Sequence, residues 1–185
     1  MYENLKKAIS LTAFGFLFIF VTFNLTINGA SVDIMPDFVG WLLLFLAFDK
    51  LGGYGDGKEF LKWGALLMML ITVVQYAITV FKPELKMDIY NLVVNILQAI
   101  YIFLYLGIIE EVAEDIGSVR SNKIHTLRMV TLSLDVFLTL VGIFATKIDI
   151  PLVFTAVIAG IASLVVLIML LLALFGLRKE VKQIL

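Results

Sequence analysis

The residue with the clearest capacity for chemistry is Asp135. It stands near the middle of an apolar segment running from about Ile124 to Thr146. An ionised carboxylate at that depth of a membrane-spanning helix costs about 2.5–3.5 kcal/mol on insertion scales, and such groups normally face a bundle interior or a water-filled cavity. No Lys or Arg is expected deep enough in a span to neutralise it. Thr131 and Thr139 stand four residues before and after it, on the same helix face. Two readings follow. Asp135 is a proton- or cation-coupled site or a hydrogen-bonding group for a polar ligand, or it is packing glue, since polar side chains bond across membrane helices for about 0.6 kcal/mol each.

Other polar side chains repeat at helical spacing. Thr72, Gln75, Tyr76 and Thr79 follow i, i+3, i+4, i+7 in one segment, and Asn91, Asn95, Gln98 and Tyr105 share a face in the next. Thr22 and Thr26 lie in the first segment, and Gly142 and Thr146 close the stripe of Asp135. Together they predict a polar seam between the third, fourth and fifth segments, opening toward the outer half of the membrane. Its candidate ligand-binding residues are Asp135, Asn91, Asn95, Gln98, Gln75, Tyr105, Thr131 and Thr139. For the amides Asn91, Asn95 and Gln98 interhelical glue is the favoured reading.

Catalytic signatures are absent. The chain has no cysteine, which removes disulfides, thiolate metal sites and cysteine nucleophiles. Glu110-Glu111 has the form of the glutamate pair of intramembrane CAAX-type proteases, but Glu114 and Asp115 stand where an Arg is needed, and the later histidines are missing. His125, the single histidine, is expected in a solvated connector. Gly52 through Lys58 has the spacing of a phosphate-binding loop, but Glu59 replaces the magnesium-holding Ser or Thr and no strand precedes it, so it reads as a glycine-rich turn. No G-x-S-x-G or H-E-x-x-H occurs. The expectation is a protein that is not an enzyme, with no metal and no cofactor.

The elements that must position these residues are apolar helices. Of 185 residues, 62% are hydrophobic and 16% charged, against roughly 45–50% and about 25% in soluble domains. The net charge of −1 gives no reason to expect nucleic acid. A spanning helix needs about 20 apolar residues. Segments 8–27, 33–51, 60–81, 88–109, 124–146 and 150–177 predict an all-α integral membrane bundle of six transmembrane helices, arranged as three hairpins in a single domain. The first is read as a retained span and not a signal peptide, because its apolar run exceeds the 7–15 residues of an h-region. The second is short between Asp37 and Asp49 and has a re-entrant half-helix as its rival. Asp33, Asp88 and Asp149, each followed by Ile, are expected to start the second helix of each hairpin, with Pro36 in a first turn; Asp115-Ile116 repeats the dipeptide on the other side. The fourth helix is expected to run on into the acidic stretch Glu110–Asp115.

Eleven Lys and Arg fall on the N-terminal side of this topology and three on the other. Positive charge concentrates in cytoplasmic loops, so both termini are expected to be cytoplasmic. Ala156, Ala159, Gly160 and Ser163 form a small-residue surface on the last helix, suited to close helix packing or to a partner subunit.

Phe23-Asn24, Ile27-Asn28, Ile34-Met35-Pro36-Asp37-Phe38-Val39-Gly40-Trp41 and Asp49-Lys50-Leu51 resemble a pattern of small multi-pass membrane proteins of unknown function from Gram-positive bacteria. The resemblance implies a bacterial plasma-membrane protein and carries no activity. Size and span number are also similar to the substrate-binding subunits of energy-coupling-factor vitamin transporters, but Ala8 and Ala13 are five apart and miss their Ala-xxx-Ala docking motif. The expected function is recognition or transport of a small polar or amphipathic solute through the seam. The alternative is a non-catalytic accessory or sensor subunit of a membrane complex, docked through its last helix.

Overall fold

The computed structural model describes residues 2–21, 24–27, 30–81, 88–144 and 150–183. They form α1 (Tyr2–Phe20), a hairpin of β1 (Asn24–Ile27) and β2 (Ala30–Asp33), α2 (Asp37–Phe48), a short 3-10 turn (Gly52–Gly55), α3 (Glu59–Phe81), α4 (Asp88–Asp115), α5 (Ser121–Phe144) and α6 (Ile150–Gln183). The chain divides into two compact units, residues 1–87 with 174–185, and residues 88–173.

Four of the described helices, α3 to α6, are long and apolar enough to cross a membrane. These four mark a membrane protein. The six expected spans are not all matched. α1 begins with Glu3, Lys6 and Lys7, so its apolar part runs only from Ala8 to Phe20, about 20 Å at 1.5 Å per residue. α2 has 12 residues, about 18 Å. Both fall short of a hydrocarbon core about 30 Å thick.

The region between them corrects two expectations. α1 ends at Phe20, not Ile27, and Thr26 lies in a strand paired with Ser31. Asp33 does not cap a helix; it pairs with Asn24 at the base of the hairpin. The N-cap of α2 is Pro36, with extended backbone and no side-chain bond, and Asp37 is the first helical residue. Local strand pairing has taken the backbone groups that a longer first helix would have used.

In the first unit α1 and α2 cross at two glycines. A Cβ on Gly40 would stand 2.6 Å from the Gly15 carbonyl oxygen. Only the absence of side chains there lets the backbones approach so closely. Trp41, Leu44 and Phe16 are fully buried beside the crossing. α2 also packs on α3, where Phe38 meets Tyr76 edge to face at 5.6 Å. Lys62 of α3 pairs with Asp49 and lies over the Phe45 ring at 5.1 Å. Phe14 meets Phe175 of α6 at 6.1 Å. The glycine-rich turn after α2 contains Gly52 and Gly57 at φ 64° and 73°, backbone that glycine adopts without strain.

The second unit is built on α4 and α5, which pack together along their length. α4 begins at Asp88 and runs through the acidic stretch to Asp115, as its composition predicts. It stops at a Schellman cap: Ser118 N–H donates to the Ala113 carbonyl at 2.8 Å and Gly117 N–H to Glu114 at 2.9 Å, with Gly117 at φ 65°. α5 then starts at Ser121, earlier than expected, so His125 belongs to a helix and not to a connector. Thr22, Thr146 and the cap expected of Asp149 lie outside the described residues.

Candidate functional site

The tight turn after α4 folds α5 back antiparallel, and the register is set by one arginine. Arg128 Nη1 donates to Glu110 Oε2 at 2.9 Å. Its Nε donates to the Phe103 carbonyl at 2.9 Å. The guanidinium lies 4.0 Å from the centre of the Phe103 ring, a cation–π distance. Gly107 makes the space: a Cβ there would meet Arg128 Cζ and Nη2 at 3.1 Å. The other Glu110 oxygen lies 2.7 Å from His125 Nδ1. Glu110 and Arg128 side chains are 14% and 20% exposed, whereas His125 is 57% exposed. The result is a charge-neutral clamp with a histidine at its solvent side.

This clamp orients the rest of α5. With 3.6 residues per turn, His125, Thr131, Asp135 and Thr139 all project within about 60° of the Arg128 direction. Arg128 faces α4, and this polar line shares its face of α5. His125 stands opposite Glu110 and Arg128 opposite Gly107. Continuing at equal rise places Thr131 level with Leu104 and Asp135 level with Ile100.

Several hydroxyls along the helices are satisfied locally. Ser10, Thr72, Thr79, Thr126 and Ser133 each donate to the backbone carbonyl four residues earlier, at 2.8 to 3.0 Å. That local bond satisfies them within their own helix. Thr131 Oγ1, Asp135 Oδ2 and Ser163 Oγ are buried and have no hydrogen-bond partner among the described residues. Thr131 is 6% exposed. All three belong to the second unit.

The remaining candidates are distributed. Thr139 is half-buried on the α5 line. Tyr105 is fully buried and stacks on Tyr101 at 5.9 Å between ring centres. Asn91 and Gln98 are half-buried and Asn95 is exposed. Counting around α4 from Gly107, which faces Arg128, Gln98 points about 180° away, and Asn91 and Tyr105 about 160° away. By that count Gln98, Asn91 and Tyr105 lie on the side of α4 away from Gly107. Gln75 lies on α3, in the first unit.

Sequence reasoning passed over Glu110, His125 and Arg128 as a group. The available signal was the spacing of His125 and Arg128, which places them on one helix face, together with a carboxylate just before the turn. Among the described residues no group of three or more His, Asp or Glu is placed to hold a metal ion.

Comparison with protein-family models found no match, and comparisons with curated proteins and with solved structures found none.

Proposed function

We propose that this membrane protein recognises or transports a small polar or amphipathic solute, and that Thr131 and Asp135 on α5 form its polar recognition point. Asp135 carries the reading. It is a carboxylate in an apolar span, on the same face of α5 as Arg128, with a buried oxygen that has no hydrogen-bond partner among the described residues. The nearest cation along its face, Arg128, is committed to Glu110 and Phe103. A group serving only as glue would have its bond across the helix contact, because an unmet buried acceptor is costly. The resemblance of the segment around Met35-Pro36-Asp37 and the distribution of Lys and Arg support a bacterial plasma membrane with both termini cytoplasmic.

Native mass spectrometry of the protein drawn gently from its own membrane tests this. A retained small molecule, lost in Asp135→Asn while the protein stays folded, is the expected result. Unchanged ligand retention with a lower melting temperature in Asp135→Asn would leave Asp135 a packing residue.

One observation favours the alternative, an accessory or sensor subunit docked through α6. A Cβ on Gly160 would meet nothing within 4 Å, and Val157, Ile158 and Ile161 around it are exposed. A stoichiometric second protein in the same spectrum, without a small molecule, supports that reading.

A further inference from the structure

The geometry points to the Thr131–Asp135 position as a binding site for a monovalent cation, either a free alkali ion or the ammonium group of a small amine. This deepens the solute reading and rests on it for the site, but names the ligand's charge.

Asp135 brings one negative charge into an apolar span. The Arg128 charge is already balanced: Glu110 takes one edge of the guanidinium, and Phe103 takes Nε and the ring face. Among the described residues Asp135 has no ion-pair partner, so a bound cation can supply the countercharge for its ionised form. Thr131 stands one turn earlier on the same face, with Cβ atoms at that spacing about 5–6 Å apart. Its hydroxyl forgoes the i−4 carbonyl bond that Thr72, Thr79 and Thr126 make, and Oγ1 is buried without a partner. Two such oxygens, one charged and one neutral, can converge on one small cation. A single carboxylate matches a monovalent ion or an ammonium; a divalent ion draws on several carboxylates, and no acidic group of that size is present among the described residues. Counted along α4 from Gly107, Ile100 and Leu104 stand at the level of the two oxygens, with apolar side chains 50% and 38% exposed. Those side chains suit the hydrocarbon part of an amine and leave a free ion to complete its shell with water.

The test is thermal unfolding of the full chain in lipid nanodiscs at pH 8. The bulk salt is tetraethylammonium chloride, whose cation is bulky and has no N–H, and sodium, potassium or n-butylammonium chloride replaces it at constant ionic strength. A saturable rise in melting temperature with at least one cation is expected, because a ligand that binds only the folded state stabilises it as its concentration exceeds Kd. Sodium or potassium alone giving the rise identifies an inorganic ion; butylammonium alone identifies an amine. Asp135→Asn should abolish the rise. Thr131→Val, which keeps the carboxylate and the shape, should move the half-saturation point up about tenfold. No cation-specific rise in the wild type overturns the proposal, as does a rise that both variants retain in full. Stabilisation that appears only on acidification in tetraethylammonium chloride also overturns it, in favour of a proton. A solute retained in native mass spectrometry without any cation effect would sink this inference while leaving the solute reading standing.

Discussion

Arg128 on α5 and Glu110 on α4 join through a 2.9 Å hydrogen bond, while the Nε of the same guanidinium reaches the carbonyl of Phe103. Phe103 and Glu110 are about two helical turns apart, so one side chain grips α4 at two levels. The planar guanidinium can do this because its donors are held in a fixed fork and its face is free to lie on a ring. The clamp fixes the rotation of α5, and Asp135 lies on the face that carries Arg128.

Removing the charge from the acceptor should weaken the clamp without removing its shape. Glu110→Gln is expected to destabilise the protein by about 1–3 kcal/mol, the range for a hydrogen bond to a charged group. Arg128→Lys should cost a similar amount, because an ammonium cannot reach the Glu110 carboxylate and the Phe103 carbonyl together. Melting temperatures of the purified variants check both. Neither change altering stability would show the pair to be a solvated surface contact.

Gly107→Ala tests the space beneath the guanidinium. The new Cβ would stand 3.1 Å from Arg128 Cζ and Nη2, so the side chain must lift from the Phe103 ring. A loss of about 1 kcal/mol is expected, toward the low end of overpacking costs. In the double variant with Glu110→Gln, the losses should fall short of additive, because both act on one side chain. Full additivity would mean Gly107 matters for another reason.

The crossing of α1 and α2 predicts a graded pair. Gly40→Ala places a Cβ 2.6 Å from both the Gly15 carbonyl oxygen and Ile19 Cγ1, whereas Gly15→Ala meets the Gly40 carbonyl and Leu44 Cδ2 at 3.0 Å. The backbone atom cannot move aside, so Gly40→Ala should cost about 2–3 kcal/mol and Gly15→Ala less. Relative melting temperatures read the order. Equal, negligible effects would mean the helices separate freely.

The chain is cysteine-free, so introduced thiols report topology. With α3 to α6 as the crossing helices and both termini cytoplasmic, Ser31→Cys in β2 and Ser118→Cys in the turn between α4 and α5 fall on the same, cytoplasmic side. An impermeant thiol reagent applied to intact cells should spare both. Labelling of Ser31→Cys alone would show that α1 and α2 cross as well, and labelling of both would invert the orientation.

Parts of this protein are legible from composition alone. The apolar segments that became α3 to α6 are long runs with few charges, and a backbone in hydrocarbon must satisfy its own hydrogen bonds, for which a helix is the local solution. The start of α4 at Asp88 and its run to Asp115 follow from the same pattern. The early end of α1 does not. Apolar length argues for helix as far as Ile27, and strand pairing between Asn24 and Asp33 overrides it. Asn28-Gly29, between paired Ile27 and Ala30, is a dipeptide that favours tight hairpins, and it was the one local hint.

Periodicity also states which residues share a face, and here it grouped Thr131, Asp135 and Thr139 correctly with one another. It cannot state where that face points. The rotation of a helix about its axis is set by what packs against it, and in α4 and α5 that is an arginine reaching across 18 positions of sequence to Glu110. Only the tertiary structure shows that Arg128 reaches Glu110 and Phe103 over Gly107, and that Gly15 and Gly40 meet. Each is a relation between segments, governed by shape and charge at close range, and one strand of sequence carries its two halves far apart.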